Sequence, residues 1–346
     1  MPQAETVGVI GAGTFGTAMA NLLALNTDVL VYSRSAELTE RLNRERFRFG
    51  VELHKRVRLV NDFAEVADRC QLIFPIVPSD NFREMMRSIT DHLRPSHVLI
   101  HGTKGLDVTG IAEDQIARRG IERRNVHTMT DVIRQESVVV RVGALTGPNL
   151  ARELLDGQPS ASVIASKFDE VINRAKVVLK SQQLHVFGTH DMLGAELAGV
   201  LKNVIALGSG ILKGVGLGKN IQAMLITRGL VEMVHFGQAL GSDKRAFFGT
   251  AGIGDLIATA TSRKSRNYMF GYRIGSGERL EEVRATSQEL AEGVRTLMIT
   301  RHLARSMRLR VPITEMLYQI VFENFPVDEA MNYLITYPYD VDVDFL

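Results

Sequence analysis

Residues Val7 to Ala20 read V-G-V-I-G-A-G-T-F-G-T-A-M-A: a short apolar run, then Gly11, Gly13 and Gly16, then small apolar residues. Few local patterns limit a fold so tightly. The apolar run predicts a strand, the small residues open a helix, and the glycines stand where the strand must turn straight into that helix. In G-x-G-x-x-G spacing the first glycine makes the tight turn. The second lets the backbone approach a diphosphate, and the third lets helix and strand pack closely. Free amides and the positive end of the helix dipole then hold the anion. Glycine is common and the bare motif is weak, but a strand before it and a helix after it predict a dinucleotide site.

The first half of the chain continues as strands alternating with helical segments. After a helix over Thr14–Leu25, strands are predicted at Asp28–Ser33, Val57–Val60, Leu72–Val77, Val98–His101, Ser137–Val142, Ser162–Ala165 and His185–Phe187, with a helical Asp62–Asp68. Several are continuous apolar runs, as strands buried on both faces of a parallel sheet are. Pro75 cannot donate to a ladder, so its strand should end or bulge there. From about Thr189 the period becomes helical, with segments around 191–212, 221–240, 279–306 and 314–323. The expectation is an α/β domain over 1–189, followed by an all-α domain over 190–346. The closing Y-P-Y-D-V-D-V-D-F-L reads as a loose acidic tail.

Composition removes several other classes. A net charge of +2 is too small to point to nucleic acid or an anionic membrane surface. Cys70 is the only cysteine, so no intramolecular disulfide can form and a reducing compartment suits the chain. The first strand starts so close to Met1 that no leader peptide is expected. The most apolar stretch, Leu197–Leu212, is interrupted by Lys202-Asn203 and by glycine and serine, which argues against a membrane span. Together these predict a cytoplasmic protein.

The helix beginning near Asp191 repays an angular reading at about 100° per residue. Leu193, Leu197, Val200, Leu201 and Val204 form a core stripe. Ala195, Ala198, Lys202, Ala206 and Ser209 fall on the opposite face, so Lys202 is the only long side chain in a lane of small ones. Such a lysine either snorkels from a packed helix to solvent or is aimed into a cleft where something approaches the backbone, there to exchange a proton with substrate. Periodicity alone leaves both open.

Other clusters follow. H-G-T-K-G-L, from His101, lies just past a predicted strand end, where open α/β sheets bind ligands. Thr146-Gly147-Pro148-Asn149 is a turn after another strand. Ala251-Gly-Ile-Gly-Asp255-Leu puts a carboxylate among glycines, where an N-cap is the competing role. Ser265-Arg266-Asn267 offers a hydroxyl, a guanidinium and an amide, which suits a phosphate as well as a solvated basic loop. His97 and His101 stand four apart on a predicted strand, and no convincing metal-ligand set appears.

Taken in order, V-I-G-A-G-T-F-G-T-A, G-T-K-G-L, T-G-P-N-L-A-R-E-L, L-K-N-V-I-A, L-I-T-R-G-L, A-G-I-G-D-L-I-A-T, S-R-N and A-E-G-V-R closely resemble the bacterial NAD(P)-linked glycerol-3-phosphate dehydrogenases over nearly the whole chain. The resemblance implies an N-terminal Rossmann-like domain, a helical C-terminal domain, a homodimer, and a cleft between the domains for cofactor and substrate. It implies interconversion of dihydroxyacetone phosphate and sn-glycerol 3-phosphate, which feeds glycerophospholipid synthesis, with NADP or NAD and no metal. Lys202 would be the proton donor and acceptor, with Lys104 and Asp255 as catalytic partners. Gly147, Asn149, Ser265, Arg266 and Asn267 would join them around the substrate, the S-R-N group holding its phosphoryl end. Gly11, Gly13, Thr14, Phe15, Gly16, Arg34, Lys104, Ala151, Arg266, Leu290 and Glu292 would form the cofactor site. Two departures stand out. Asn149 occupies a place where bacterial members often carry threonine or serine, and Phe74-Pro75-Ile76 replaces a run of small or β-branched residues.

Two other readings fit parts of the pattern. A 3-hydroxyacid dehydrogenase of the 6-phosphogluconate type also joins a dinucleotide domain to a helical one, but its lysine and asparagine stand several residues apart, whereas Lys202 and Asn203 are adjacent. A non-catalytic dinucleotide sensor would not need Lys104, Lys202, Asp255 and the S-R-N group together. As to the cofactor, the second strand runs Val31-Tyr-Ser33-Arg34-Ser35 with no carboxylate before Glu37. An acidic residue there would repel a 2′-phosphate. Ser33 and Arg34 can instead bind one, so NADPH is expected to serve at least as well as NADH.

Overall fold

The structure, a computed structural model, describes residues 5–287 and 291–336; Leu290 and the acidic tail over 337–346 lie outside them. Contacts divide the chain into two compact units, Met1–Asp107 with Thr128–Met192, and Val108–His127 with Leu193–Leu346.

The first unit is built on an eight-stranded sheet: β1 (Val7–Ile10), β2 (Val29–Tyr32), β3 (Val57–Val60), β4 (Leu72–Pro75), β5 (Val98–His101), β6 (Arg141–Thr146), β7 (Ser160–Ser166) and β8 (Leu184–Thr189). Their order across the sheet is β8-β7-β6-β5-β4-β1-β2-β3. Strands β1 to β6 pair in parallel, β7 runs antiparallel to β6, and β8 runs parallel to β7. The arrangement 3-2-1-4-5-6 is that of doubly wound dinucleotide-binding sheets. Successive residues face opposite cores: Val7 and Val9 pack with Leu72, Phe74, Val98 and Ile100 on one face, while Ile10, Ile73 and Leu99 pack on the other. Both faces are covered. Helices α1 (Thr14–Leu23), α2 (Ala36–Glu45), α7 (Ala151–Leu155) and α8 (Asp169–Leu179) contribute to the first core; α3 (Phe63–Arg69), α4 (Phe82–Ile89) and α6 (Met129–Glu136) contribute to the second. Double-sided burial is why these strands read as unbroken apolar runs.

Pro75 is the last residue of β4, as its missing N–H requires. The run expected as a strand at Ser137–Val142 is different: the strand begins only at Arg141 and continues to Thr146. Val138 and Val140 are more than half exposed. Their β-branched character predicts a strand, but pairing starts where Arg141 lies beside Val98, with its guanidinium bonded to the Ser96 carbonyl and to Glu170.

The second unit contains α5 (Glu113–Arg119), α9 (Met192–Gly214), α10 (Lys219–Ala239), α11 (Asp255–Thr261), α12 (Arg266–Gly275), α13 (Leu280–Thr286), α14 (Glu292–Ser306), α15 (Pro312–Glu323) and α16 (Val327–Thr336). The segment expected as one helix over 279–306 is two, α13 ending at Thr286 and α14 starting at Glu292. Residues 108–127, placed before the boundary expected near 189, group with the helical unit, and Glu113 of α5 pairs with Arg295 of α14. Helix α9 is long and apolar enough to cross a membrane by length and composition, yet its apolar window is wholly buried in the fold. A helix so largely apolar is one surrounded by its neighbours. Gly229 of α10 meets Ile205, Leu317 of α15 fills the space beside Gly208, and α12 lies against Gly210 and Gly214.

Candidate active site

The glycine loop has the geometry its spacing predicts. Gly11 has φ +109°, and a Cβ there would lie 2.2 Å from the Ile76 carbonyl oxygen. A Cβ on Gly16 would lie 2.0 Å from the Gly11 oxygen, so any side chain would push α1 off β1. Gly13 differs: a Cβ there would meet nothing within 4 Å. It is the N-cap of α1, with no side-chain cap and no acidic residue in the first turn. A helix start with no side-chain cap and open space beside its N-cap glycine fits a dinucleotide diphosphate. Thr14 begins the helix, and the ring of Phe15 reaches Gly102, where a Cβ would lie 2.9 Å from its Cε1.

Around that loop, Arg34 is exposed just beyond β2, while Ser33 is buried and its Oγ accepts from the Ser35 amide at 3.4 Å. Lys104 is half-buried past the end of β5 and donates to the Gly147 carbonyl at 2.8 Å. Gly147 has φ +107°, a turn conformation that favours glycine. Asn149 is engaged at both ends of its amide: Nδ2 donates to the Thr146 carbonyl at 3.1 Å and Oδ1 accepts from Ser162 Oγ at 2.8 Å. Its visible role is to hold the turn. Ala151, partly buried, opens α7.

In the second unit the lysine lane has an occupant. Helix α11 lies along it: Ser209 Oγ donates to the Ala260 carbonyl at 2.5 Å, and Gln222 reaches both at 2.7 and 3.2 Å. Lys202 does not snorkel. It is 4% exposed, and its Nζ donates to Asp255 Oδ1 at 2.6 Å and to Thr259 Oγ1. Asp255 is fully buried at the first position of α11, whose N-cap is Gly254, and its carboxylate accepts from the lysine. A π-turn over Thr250–Gly254 delivers it, folded so tightly that a Cβ on Gly252 would sit 2.2 Å from the Phe247 carbonyl oxygen. A buried ammonium hydrogen-bonded to a carboxylate and a hydroxyl is held in one orientation, as a proton donor must be.

Helices α9 and α12 meet backbone to backbone. Cβ atoms on Gly210 and Gly271 would each lie 1.9 Å from a carbonyl oxygen of the other helix, those of Tyr268 and Leu207. This contact seats the start of α12 beside Asn203. Ser265 is its N-cap, accepting from the Tyr268 amide at 3.2 Å. Asn267 donates to Asn203 Oδ1 at 2.9 Å and accepts from the Gly293 amide at 2.8 Å, so it ties α9 to the start of α14. Arg266 is exposed in the first turn of α12, and Glu292 is the first residue of α14. Thr259 was not singled out in the sequence, and Asn203 was read only as the neighbour of Lys202. The i, i+4 spacing of Asp255 and Thr259 on one helix face was the available signal for the first; the adjacency of Asn203 to Lys202 points it elsewhere, and only packing reveals its partner. Among the described residues no group of His, Cys, Asp or Glu could hold a metal ion.

A doubly wound sheet with an open glycine loop, joined in one chain to a helical unit with a buried lysine–carboxylate pair, defines a dinucleotide-dependent oxidoreductase. The N-terminal family model of NAD-dependent glycerol-3-phosphate dehydrogenase matches residues 6–172 and the C-terminal model residues 191–332. The chain belongs to that family. It is 36% identical over 351 residues to the NAD(P)+ glycerol-3-phosphate dehydrogenase of Pseudomonas putida, covering 100% of this chain and 98% of that protein. To the protein of that name from Azotobacter vinelandii it is 37% identical over 347 residues, covering 99% and 97%. The crystal structure of glycerol-3-phosphate dehydrogenase from Coxiella burnetii superposes with a TM-score of 0.86 at 27% identity, over 97% of this chain and 100% of that one.

Proposed function

We propose that this chain interconverts dihydroxyacetone phosphate and sn-glycerol 3-phosphate with NADP or NAD, Lys202 acting as proton donor and acceptor. The observation that carries the reading is the Lys202–Asp255 pair, 2.6 Å apart and almost wholly out of water. When bound, the nicotinamide cofactor supplies or takes up the hydride. In reduction, the Lys202 ammonium gives its proton to the developing alkoxide and stabilises its charge on the way; in oxidation, the neutral amine takes the proton back. Asp255 and Thr259 orient Nζ. Lys104 contacts both the substrate and the nicotinamide end, with Gly147 and Asn149 forming the turn beside it. Ser265, Arg266 and Asn267 receive the phosphoryl group, whose binding orients a ketone remote from it. Gly11, Gly13, Thr14, Phe15, Gly16, Arg34, Ala151 and Glu292 complete the cofactor site, Leu290 lying outside the described residues.

Within this reading the dinucleotide belongs to residues 1–189 and the proton chemistry to 190–346, in a cytoplasmic homodimer that supplies glycerol 3-phosphate for glycerophospholipid synthesis. The test follows reduced-cofactor absorbance with dihydroxyacetone phosphate, using NADPH and NADH in turn. Lys202→Ala should retain fold and cofactor binding while kcat falls by about 10²–10⁴. Near-normal turnover in that variant would make the lysine merely structural.

A further inference from the structure

The six residues after β5 carry Lys104, and they are pinned at both ends. At the near end, the Gly102 amide donates to the Pro75 carbonyl at 3.0 Å and Thr103 Oγ1 donates to the Val77 carbonyl at 2.6 Å. At the far end, buried Asp107 accepts from Arg83 of α4, at 2.8 Å from Nε and 2.7 Å from Nη2. The same guanidinium, itself only 13% exposed, also donates to Gln135 Oε1 at 2.7 Å and pairs with Glu136 at the end of α6. Arg87 holds the other side of Glu136 at 3.0 Å. Hydrogen bonds from Arg87 and then Arg83 keep the Glu136 carboxyl below the usual carboxylate range, so it stays charged.

The placement of these groups along the chain gives the cluster its meaning. Asp107 is the last residue before the chain leaves the first unit, and α6 begins one residue after it returns at Thr128. The planar guanidinium therefore ties the departing segment to the returning helix. Lysine is a charge on a flexible four-carbon stem, so the position of its ammonium depends on how firmly its backbone is held. We propose that Arg83 is a positioning residue: through Asp107 it holds the segment 102–107 so that Lys104 meets the substrate and the nicotinamide end. This rests on the role assigned to Lys104 under the proposed function. Both N–H groups converge on the one oxygen Oδ2 of Asp107, a charge-assisted contact whose geometry the rigid guanidinium fixes.

The experiment is a double-mutant cycle on the full chain, comparing Arg83→Met, Lys104→Ala and the two combined, with circular dichroism to establish folding and fluorescence to measure NADPH binding. Misplacing a reacting group by about 1 Å costs up to about a hundredfold. Arg83→Met should thus lower kcat/KM for dihydroxyacetone phosphate by about tenfold to a hundredfold. In the Lys104→Ala background it should lower it no further, because residues acting through one another are not additive. Arg83→Lys, which keeps the charge but loses the guanidinium, should recover only part of the activity. Should Arg83→Met fail to fold, Asp107→Asn enters the same cycle. Unchanged kcat/KM in a folded Arg83 or Asp107 variant, or an equal loss with and without Lys104, overturns the proposal. Full turnover by Lys104→Ala alone overturns it by removing the role on which it rests, and that arm is read separately.

Discussion

Replacing Asp255 by Asn tests the lysine centre where it is most exacting. Asp255 is fully buried and Lys202 is 4% exposed, with 2.6 Å between Nζ and Oδ1. At that depth the ammonium has given up its water and depends on the carboxylate and the Thr259 hydroxyl. Asparagine keeps the size and one acceptor but removes the compensating charge. Breaking a buried pair from one side costs about 3–5 kcal/mol. For a unit of this size each kcal/mol moves Tm by about 2–4 °C, so the midpoint should fall by about 6–20 °C in scanning calorimetry. Replacing both partners by apolar residues, as Lys202→Met with Asp255→Leu, removes both desolvation costs together. Stability should then return to the parent value or rise above it by about 1–4 kcal/mol, with turnover abolished. The two readouts separate packing from chemistry. A midpoint for Asp255→Asn within about 2 °C of the parent, or measurable turnover near the parent rate in the double variant, would refute this account of the centre.

Arg266→Ala should cost about 1.5–3 kcal/mol in kcat/KM for dihydroxyacetone phosphate, the worth of a hydrogen bond to a charged group, and far less for unphosphorylated dihydroxyacetone; equal losses for both would remove Arg266 from the phosphate. Arg34→Asp should shift preference from NADPH towards NADH, since a carboxylate at the end of β2 favours ribose hydroxyls and repels a 2′-phosphate. A strong NADH preference in the parent, unchanged by the substitution, counts against that role. In the helical unit, Glu232 accepts from the Ile313 and Thr314 amides and the Thr314 hydroxyl, capping the start of α15 from another helix. Burial pushes its carboxyl up from 4.5 to about 7, against the pull of those bonds. Between these values the folded state binds more protons than the unfolded one, so this group's contribution to stability declines as pH rises. The Tm of Glu232→Gln relative to the parent should therefore improve from about pH 5 to about pH 7.5; a trend in the other direction would contradict the assigned shift.

Local pattern carries the first unit a long way. The turn at Gly11, the close approach at Gly16 and the open space at Gly13 follow from spacing alone, because each depends on atoms within a few residues or on the absence of a Cβ. The end of β4 at Pro75 likewise follows from one missing N–H. Apolar runs locate most strands, since a strand buried on both faces needs nothing else. They fail at Ser137–Val142, because composition reports what a segment can bury and not what lies beside it.

In the helical unit, sequence by itself placed Lys202 on a lane of small residues and left two roles open. Only tertiary structure excluded the snorkel, by burying the ammonium against Asp255. The carboxylate that holds the lysine comes from a helix more than fifty residues on, and periodicity within one helix carries no information about its neighbour. The same limit hides the bond between Asn267 and Asn203, made possible by glycines that let α9 and α12 touch. It hides Arg83, which looks like any surface arginine until the segment ending at Asp107 and the end of α6 converge on it. It hides the grouping of residues 108–127 with the helical unit. What the sequence determined by itself was the pattern of strands, turns and buried faces, which short-range sterics and hydrophobic periodicity dictate. What the tertiary structure decided was which distant charges and hydroxyls meet, because desolvation makes those pairings obligatory only after the chain has closed around them.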